Sequence, residues 1–201
     1  MNNSNGYSGY FLAAAPFHTT KFGDFDILAS PGPRTGSENV TLVKGSVAGS
    51  GSVLCRVASA CLTSTAFGAA DCDCAGQLDD ALTRIAEQSR GVLLYLAQEG
   101  RGNGLVSKIA AMNGKEKGLD TFRATEELGL DPDVRSYNAA ARILSELRIK
   151  SIVLMTNNPD KETALTSNGV QVEGMLPCID AHPPARSLIH LNAKRALGHM
   201  L

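Results

Sequence analysis

The sequence has no basic excess: 19 Lys and Arg stand against 20 Asp and Glu, for a formal charge of −1. Nucleic-acid-binding modules carry a positive surplus, so that class is set aside. No apolar run approaches the ~18 residues of a membrane span. No period of about 20–50 residues recurs, which excludes a solenoid. The opening Met1-Asn2-Asn3-Ser4-Asn5-Gly6 lacks the basic start of a secretory signal, so a cytoplasmic location is expected. Cysteines number five, an odd count in a compartment that keeps thiols reduced, and a disulfide framework is not expected. What remains is ordinary globular composition, 43% hydrophobic and 19% charged, enough for a sizeable core.

Residues 1–9 are polar and rich in Gly, Ser and Asn, and read as a disordered arm before a single domain over 10–201. The first third is β-rich. Phe25–Leu28, Val40–Val43 and Val53–Val57 read as strands, the first two split by a Pro-Gly-Pro turn. From residue 77 strands and helices alternate. Leu78, Ala81, Leu82, Ile85 and Ala86 recur at helical spacing before the buried-strand run Val92–Leu96. A helix is expected after Gly104 through Val106, Ile109 and Ala110, and another over Ser136–Leu147. Ser151–Met155 reads as a strand, a helix follows from Asp160, Val170–Val172 is a last short strand, and Ser187–Leu201 reads as a helix. The order predicts an α/β domain with a mixed sheet flanked by helices.

Three cysteines fall within fourteen residues, as Cys61, Cys72 and Cys74. Structural zinc sites are usually closed by four protein ligands, whereas catalytic ones keep three and leave a position open. Three clustered cysteines without an intervening histidine fit the open kind. Buried thiols packing as small apolar groups are the alternative; against it, Asp71 and Asp73 flank Cys72. Cys55, inside a strand, and Cys178, after Pro177, read as structural.

Three further segments are polar. Gln98-Glu99-Gly100-Arg101-Gly102-Asn103-Gly104 follows a buried strand and opens a helix, a setting that attracts anions, although such turns are common without ligands. Asp131-Pro132-Asp133-Val134-Arg135 reads as a helix start, which leaves Arg135 unexplained. Thr156-Asn157-Asn158-Pro159-Asp160-Lys161 reads as a turn and cap at the end of a strand, where α/β sheets bind ligands.

In order and spacing these segments, with Phe22-Gly23-Asp24-Phe25 before them and Gly198-His199 after, resemble GTP cyclohydrolase II over about residues 22–201. The resemblance implies that Cys61, Cys72 and Cys74 hold one Zn²⁺ per chain, which activates a water for attack on carbon 8 of the purine. It implies Asp133 as general base and Arg135 as nucleophile at the α-phosphorus; stabilisation of phosphate charge is the alternative for Arg135, because a guanidinium is almost never deprotonated. It places Arg56, Ser59, Gln77, Glu99, Gly100, Arg101, Met112, Thr121, Thr156 and Lys161 around the nucleotide. Glu99 and Gln77 are suited to a base edge, Arg101 and Lys161 to phosphate. Mg²⁺ on the triphosphate and a homodimer are implied too, without nucleic acid or membrane as partner.

The sequence departs from the family pattern near that site. Arg-x-His-Ser-Glu-Cys becomes Arg56-Val57-Ala58-Ser59-Ala60-Cys61, and two polar groups become methyls. A tyrosine aligns with Met112, an aspartate with Ser136, and an aliphatic residue with Asn103. Lost hydrogen bonds at Ala58 and Ala60 are expected to weaken GTP binding. The loss of a tyrosine hydroxyl at Met112 is expected to favour a reaction that stops at the formamidopyrimidine. Another heterocyclic substrate, or a catalytically silent nucleotide-binding protein, are the alternative readings.

Overall fold

The structure is a computed structural model describing residues 6–178 and residue 180. Its centre is one seven-stranded sheet in the order β1-β2-β3-β5-β4-β6-β7. The strands are β1 Ala13–Thr19, β2 Gly23–Pro31, β3 Glu38–Lys44, β4 Val53–Ser59, β5 Gly91–Leu96, β6 Ile152–Met155 and β7 Val172–Leu176. β1, β2, β3 and β5 pair antiparallel. β5, β4, β6 and β7 pair parallel. The sheet is mixed, as the sequence predicts.

Side-chain alternation divides the core between the two faces. Val53, Cys55 and Val57 of β4 and Val92, Leu94 and Leu96 of β5 pack with Ala140, Ile143 and Leu144 of helix α5 (Asn138–Glu146) and Leu165 of α6 (Pro159–Ser167). Leu93 and Met155 point the other way, against Ala81 and Ile85 of α2 (Cys74–Ala86). Cys55 and Cys178 are both fully buried. Among the described residues no helix is long and apolar enough to cross a membrane.

Several elements differ from the sequence reading. β1 is an edge strand, mostly exposed, with Pro16 inside it, so it carries no alternating signal. α4 (Thr121–Glu126) is too short to show a helical period. The last strand lies two residues later than expected, because Gly174 interrupts its apolar pattern. In α3 (Leu105–Glu116) the apolar residues Val106 and Ile109 face outward, 83% and 52% exposed. Of the expected arm, residues 1–5 lie outside the described residues, while Tyr7 packs edge-on against Phe11 and donates to Asp26 at 2.7 Å. The expected tail helix and Gly198-His199 also lie outside the described residues.

Candidate functional site

The parallel strands β4, β5 and β6 end on one side of the sheet, where the crevice of an α/β fold forms. A cavity of about 400 Å³ opens there, lined from β4, α2, α3, α4 and the loops between them. It collects every sequence-predicted site residue except Ser136, which was named only as a departure.

Cys61 follows β4 and precedes the short helix α1 (Leu62–Thr65), Cys72 lies in the next loop, and Cys74 opens α2. Helix α2 thus starts three residues earlier than its apolar period indicates. The three Sγ atoms lie within 4.8 Å of one another. Cys61 and Cys72 are 3.7 Å apart. A tetrahedral ion with Zn–S bonds of ~2.3 Å sets its sulfurs about 3.8 Å apart. Soft thiolates select zinc over magnesium or calcium, so the residues present fit that ion. Among the described residues only these three form such a cluster. Hydrogen bonds from Cys72 and Cys74, and then from Lys108, hold the Cys61 thiol far below its ordinary range, while the same bonds to Cys61 push Cys72 and Cys74 up.

Three polar side chains fasten the first cysteine segment. The Tyr95 hydroxyl accepts from Cys61 N at 3.1 Å. Glu99 accepts from Leu62 N at 2.6 Å and Gly100 N at 2.9 Å. Lys108 Nζ bridges Glu99 Oε1 at 2.8 Å and Cys61 Sγ at 3.1 Å. Burial lowers the Lys108 ammonium, but its hydrogen bonds to Glu99 and Cys61 outweigh that and raise it. Glu99 is therefore engaged by backbone and lysine, which leaves it less free for a base edge than its sequence position suggested.

The Gly-rich turn, Glu99–Gly102, carries Gly100 and Arg101 in the left-handed region, at φ 57° and 54°. Such a conformation costs a non-glycine residue about 1–2 kcal/mol. At Gly102 a Cβ would come within 2.9 Å of Val134, so glycine is what lets the turn pack on the Asp133–Arg135 loop. Val134 N donates to Arg101 O at 3.0 Å, and Asn103 Nδ2 to Asp131 O at 2.8 Å, which accounts for the polar residue in this turn. Gln98 joins the same parts, donating to Ser59 Oγ and accepting from Ser136 N, both at 3.2 Å.

Asp131 and Asp133 do not begin a helix, because α5 starts only at Asn138. Each carboxylate instead accepts from the backbone two residues on, Asp131 from Asp133 N and Asp133 from Arg135 N. Asp133 also takes Arg135 in a fork: Nε at 2.9 Å from Oδ1 and Nη2 at 2.5 Å from Oδ2. Burial works against both charges, yet this pairing holds the carboxyl below, and the guanidinium above, its ordinary range.

Three other cations at the cavity have neutral partners. Arg56 donates to Met155 O at 2.9 Å and Gln77 Oε1 at 2.7 Å, and its Nε has no partner among the described residues. Arg101 stacks on the Phe122 ring at 3.6 Å, and its buried Nη1 likewise has no partner among them. Lys161 donates to Val57 O at 2.6 Å. Burial, then Arg135, pulls Arg101 down to about 10. Burial, then Arg56 and Arg135, pulls Lys161 well down. Thr156 sits beside them, its hydroxyl accepting from Asn158 N at 3.1 Å, and Asn158 caps α6 as the Asn-Pro reading expects. Met112 and Thr121 line the α3–α4 wall, with Met112 turned to the cavity and not to the core. Sequence reasoning missed Tyr95, Lys108 and Phe122; the helical spacing of Lys108 and Met112 along α3 was the one signal available.

Residues 12–177 match the sequence model of GTP cyclohydrolase II. The riboflavin biosynthesis protein RibBA of Endomicrobium trichonymphae is 43% identical over 90% of this chain and 45% of its own length. GTP cyclohydrolase-2 of Hahella chejuensis is 43% identical over 90% of this chain and 88% of its own. GTP cyclohydrolase-2 of Tolumonas auensis is 41% identical over 96% of this chain and 98% of its own. The chain thus spans less than half of the RibBA protein and most of the two shorter relatives.

Proposed function

The chain belongs to the GTP cyclohydrolase II family, and on that premise we propose that it is a zinc-dependent hydrolase. In this reading it opens the imidazole ring of GTP, or of a related purine nucleotide, and releases pyrophosphate. The observation that carries the reading is the meeting of a three-cysteine cluster with Arg56, Arg101 and Lys161 in one cavity, where the direct hydrogen-bond and ring contacts described for these cations are to neutral groups. Burial makes cationic groups that lack a directly bonded carboxylate costly, and a polyphosphate supplies negative charge to them. Mg²⁺ arrives with the triphosphate as part of the substrate.

Cys61, Cys72 and Cys74 would hold the zinc, which supplies Lewis acidity able to acidify water toward neutral pH. Asp133 aligns Arg135 through its fork and is kept ionised by it; the same pairing lowers its basicity, so a role as general base requires that the fork open first. Arg135, held as a cation, fits stabilisation of developing phosphate charge better than nucleophilic attack. Gln77 and Arg56, which also line the cavity, form a hydrogen-bonded pair. A cytoplasmic homodimer belongs to the same reading, and the outward Val106 and Ile109 give α3 an apolar surface that a second copy can cover.

Lys161 makes the anion site testable. A bound polyphosphate stabilises the protonated amine and raises its depressed pKa. Between that depressed value and the ordinary ~10.4, binding must therefore take up a proton. Titration calorimetry of inorganic triphosphate in two buffers of different ionisation enthalpy is expected to show net uptake at alkaline pH. The uptake should be lost in Lys161→Met. Zero net exchange in the unaltered protein would remove Lys161 from the site.

Met112 supports a second reading of the end point, since it lines the cavity where a tyrosine hydroxyl aligns in the family. A thioether is at best a weak acceptor and cannot donate to a formamide. Incubation with GTP, Mg²⁺ and zinc, followed by mass spectrometry and formate assay, tests both readings. The expected outcome is pyrophosphate with a formamidopyrimidine nucleotide and a formate deficit that Met112→Tyr repairs. A one-to-one ratio of formate to pyrophosphate would sink the truncated reaction but leave the cyclohydrolase. No change in GTP would sink both, in favour of another heterocycle or a silent binding protein.

A further inference from the structure

Lys108 stands outside the residues that the family resemblance assigns, yet it touches a candidate metal ligand. Its ammonium lies 3.1 Å from Cys61 Sγ and 2.8 Å from Glu99 Oε1. Both members of the ion pair are largely shielded, at 19% and 14% side-chain exposure. Glu99 is itself locked by Leu62 N and Gly100 N. The lysine thus has a fixed anchor on one side and a sulfur on the other. Cys61 is held twice, at its backbone N by Tyr95 and at its sulfur by Lys108.

Three thiolates around a divalent ion leave a net negative charge, and their mutual repulsion works against retention of the metal. Hydrogen bonds to ligand sulfurs and fixed outer partners counter this, and losing one typically costs about 10–100-fold in metal affinity. We propose that Lys108 is a positioning residue of the metal centre: anchored by Glu99, it hydrogen-bonds the Cys61 sulfur, offsets thiolate charge and slows release of the metal. The proposal rests on Cys61, Cys72 and Cys74 being zinc ligands. A purely structural Lys108–Glu99 ion pair would affect stability and leave the metal undisturbed.

The test uses the full chain loaded with zinc, and with cobalt in its place. Zinc release into a chromophoric chelator and the sulfur-to-cobalt charge-transfer band are both measured. Lys108→Met is expected to release zinc on the order of 10–100-fold faster and to shift the band. Lys108→Arg should restore most of both, and Lys21→Met, a surface lysine paired with Asp79, should change neither. Unaltered release and an unaltered band in Lys108→Met would overturn the proposal. Should that variant fail to fold, Glu99→Gln is read in the same way, since it removes the anchor's charge but keeps an oxygen for Leu62 N; unaltered release there is equally fatal. If the unaltered protein takes up no zinc, the metal reading falls and this proposal with it. If it takes up zinc and Lys108→Met keeps it equally well, only the role of Lys108 falls.

Discussion

Cys72→Ser and Cys74→Ser proteins, expressed with ample zinc, are expected to carry almost no metal, against one zinc per chain in the unaltered protein. Among the described residues the cluster has only three donors, so no fourth side chain there can take over. A serine hydroxyl is a neutral, hard and poor ligand for zinc compared with a thiolate. The affinity loss should exceed the roughly 10–100-fold seen when an outer partner is removed. Because a metal that binds only the folded chain stabilises it by mass action, a chelator should lower the Tm of the unaltered protein. The Tm of either variant should then be insensitive to chelator. Metal analysis and a thermal melt with and without chelator check both statements. Full zinc occupancy in either variant would take the cluster out of the mechanism.

Arg135→Ala is expected to reduce pyrophosphate release by at least about 10²–10³-fold, the loss typical of removing one preorganised charge-stabilising donor. Arg135→Lys should rescue little, because an ammonium cannot occupy the Asp133 fork through two nitrogens and still face the cavity. Asp133→Asn keeps the shape but removes the charge that aligns and holds the guanidinium, so it should be nearly as damaging. Steady-state pyrophosphate assays at saturating GTP give the comparison. Release by Arg135→Ala at the unaltered rate would exclude this residue from the phosphate chemistry. Restoration by added guanidinium would support a cationic role over a nucleophilic one.

Which pieces of this were legible in the chain follows from the range of the interactions involved. The strands β4, β5 and β6 and the helices α2 and α5 carry continuous apolar runs or a clean helical period, signals made by neighbours in sequence. β1 and α4 carry neither, because one is an exposed edge strand with a proline and the other a six-residue helix. The outward turn of Val106 and Ile109 was illegible for a related reason. Period announces a helix with an apolar stripe, but only the tertiary structure decides whether that stripe meets a core.

At the site, the sequence by itself determined the three cysteines, the glycines of the turn and the order of the polar segments, because each is a local chemical pattern. It also determined that these belong together, through a resemblance running along most of the chain. Only the tertiary structure decided how they are joined. It paired Asp133 with Arg135 where a helix start was expected, and it engaged Glu99 with backbone and lysine instead of leaving it open. It brought Lys108 to Cys61 across 47 positions and Lys161 to Val57 across 104. Such contacts depend on parallel strands ending side by side, so that loops far apart in sequence share one crevice. No local pattern encodes that distance, and burial, which lowers the pKa of Arg101 and Lys161, exists only once the sheet has formed.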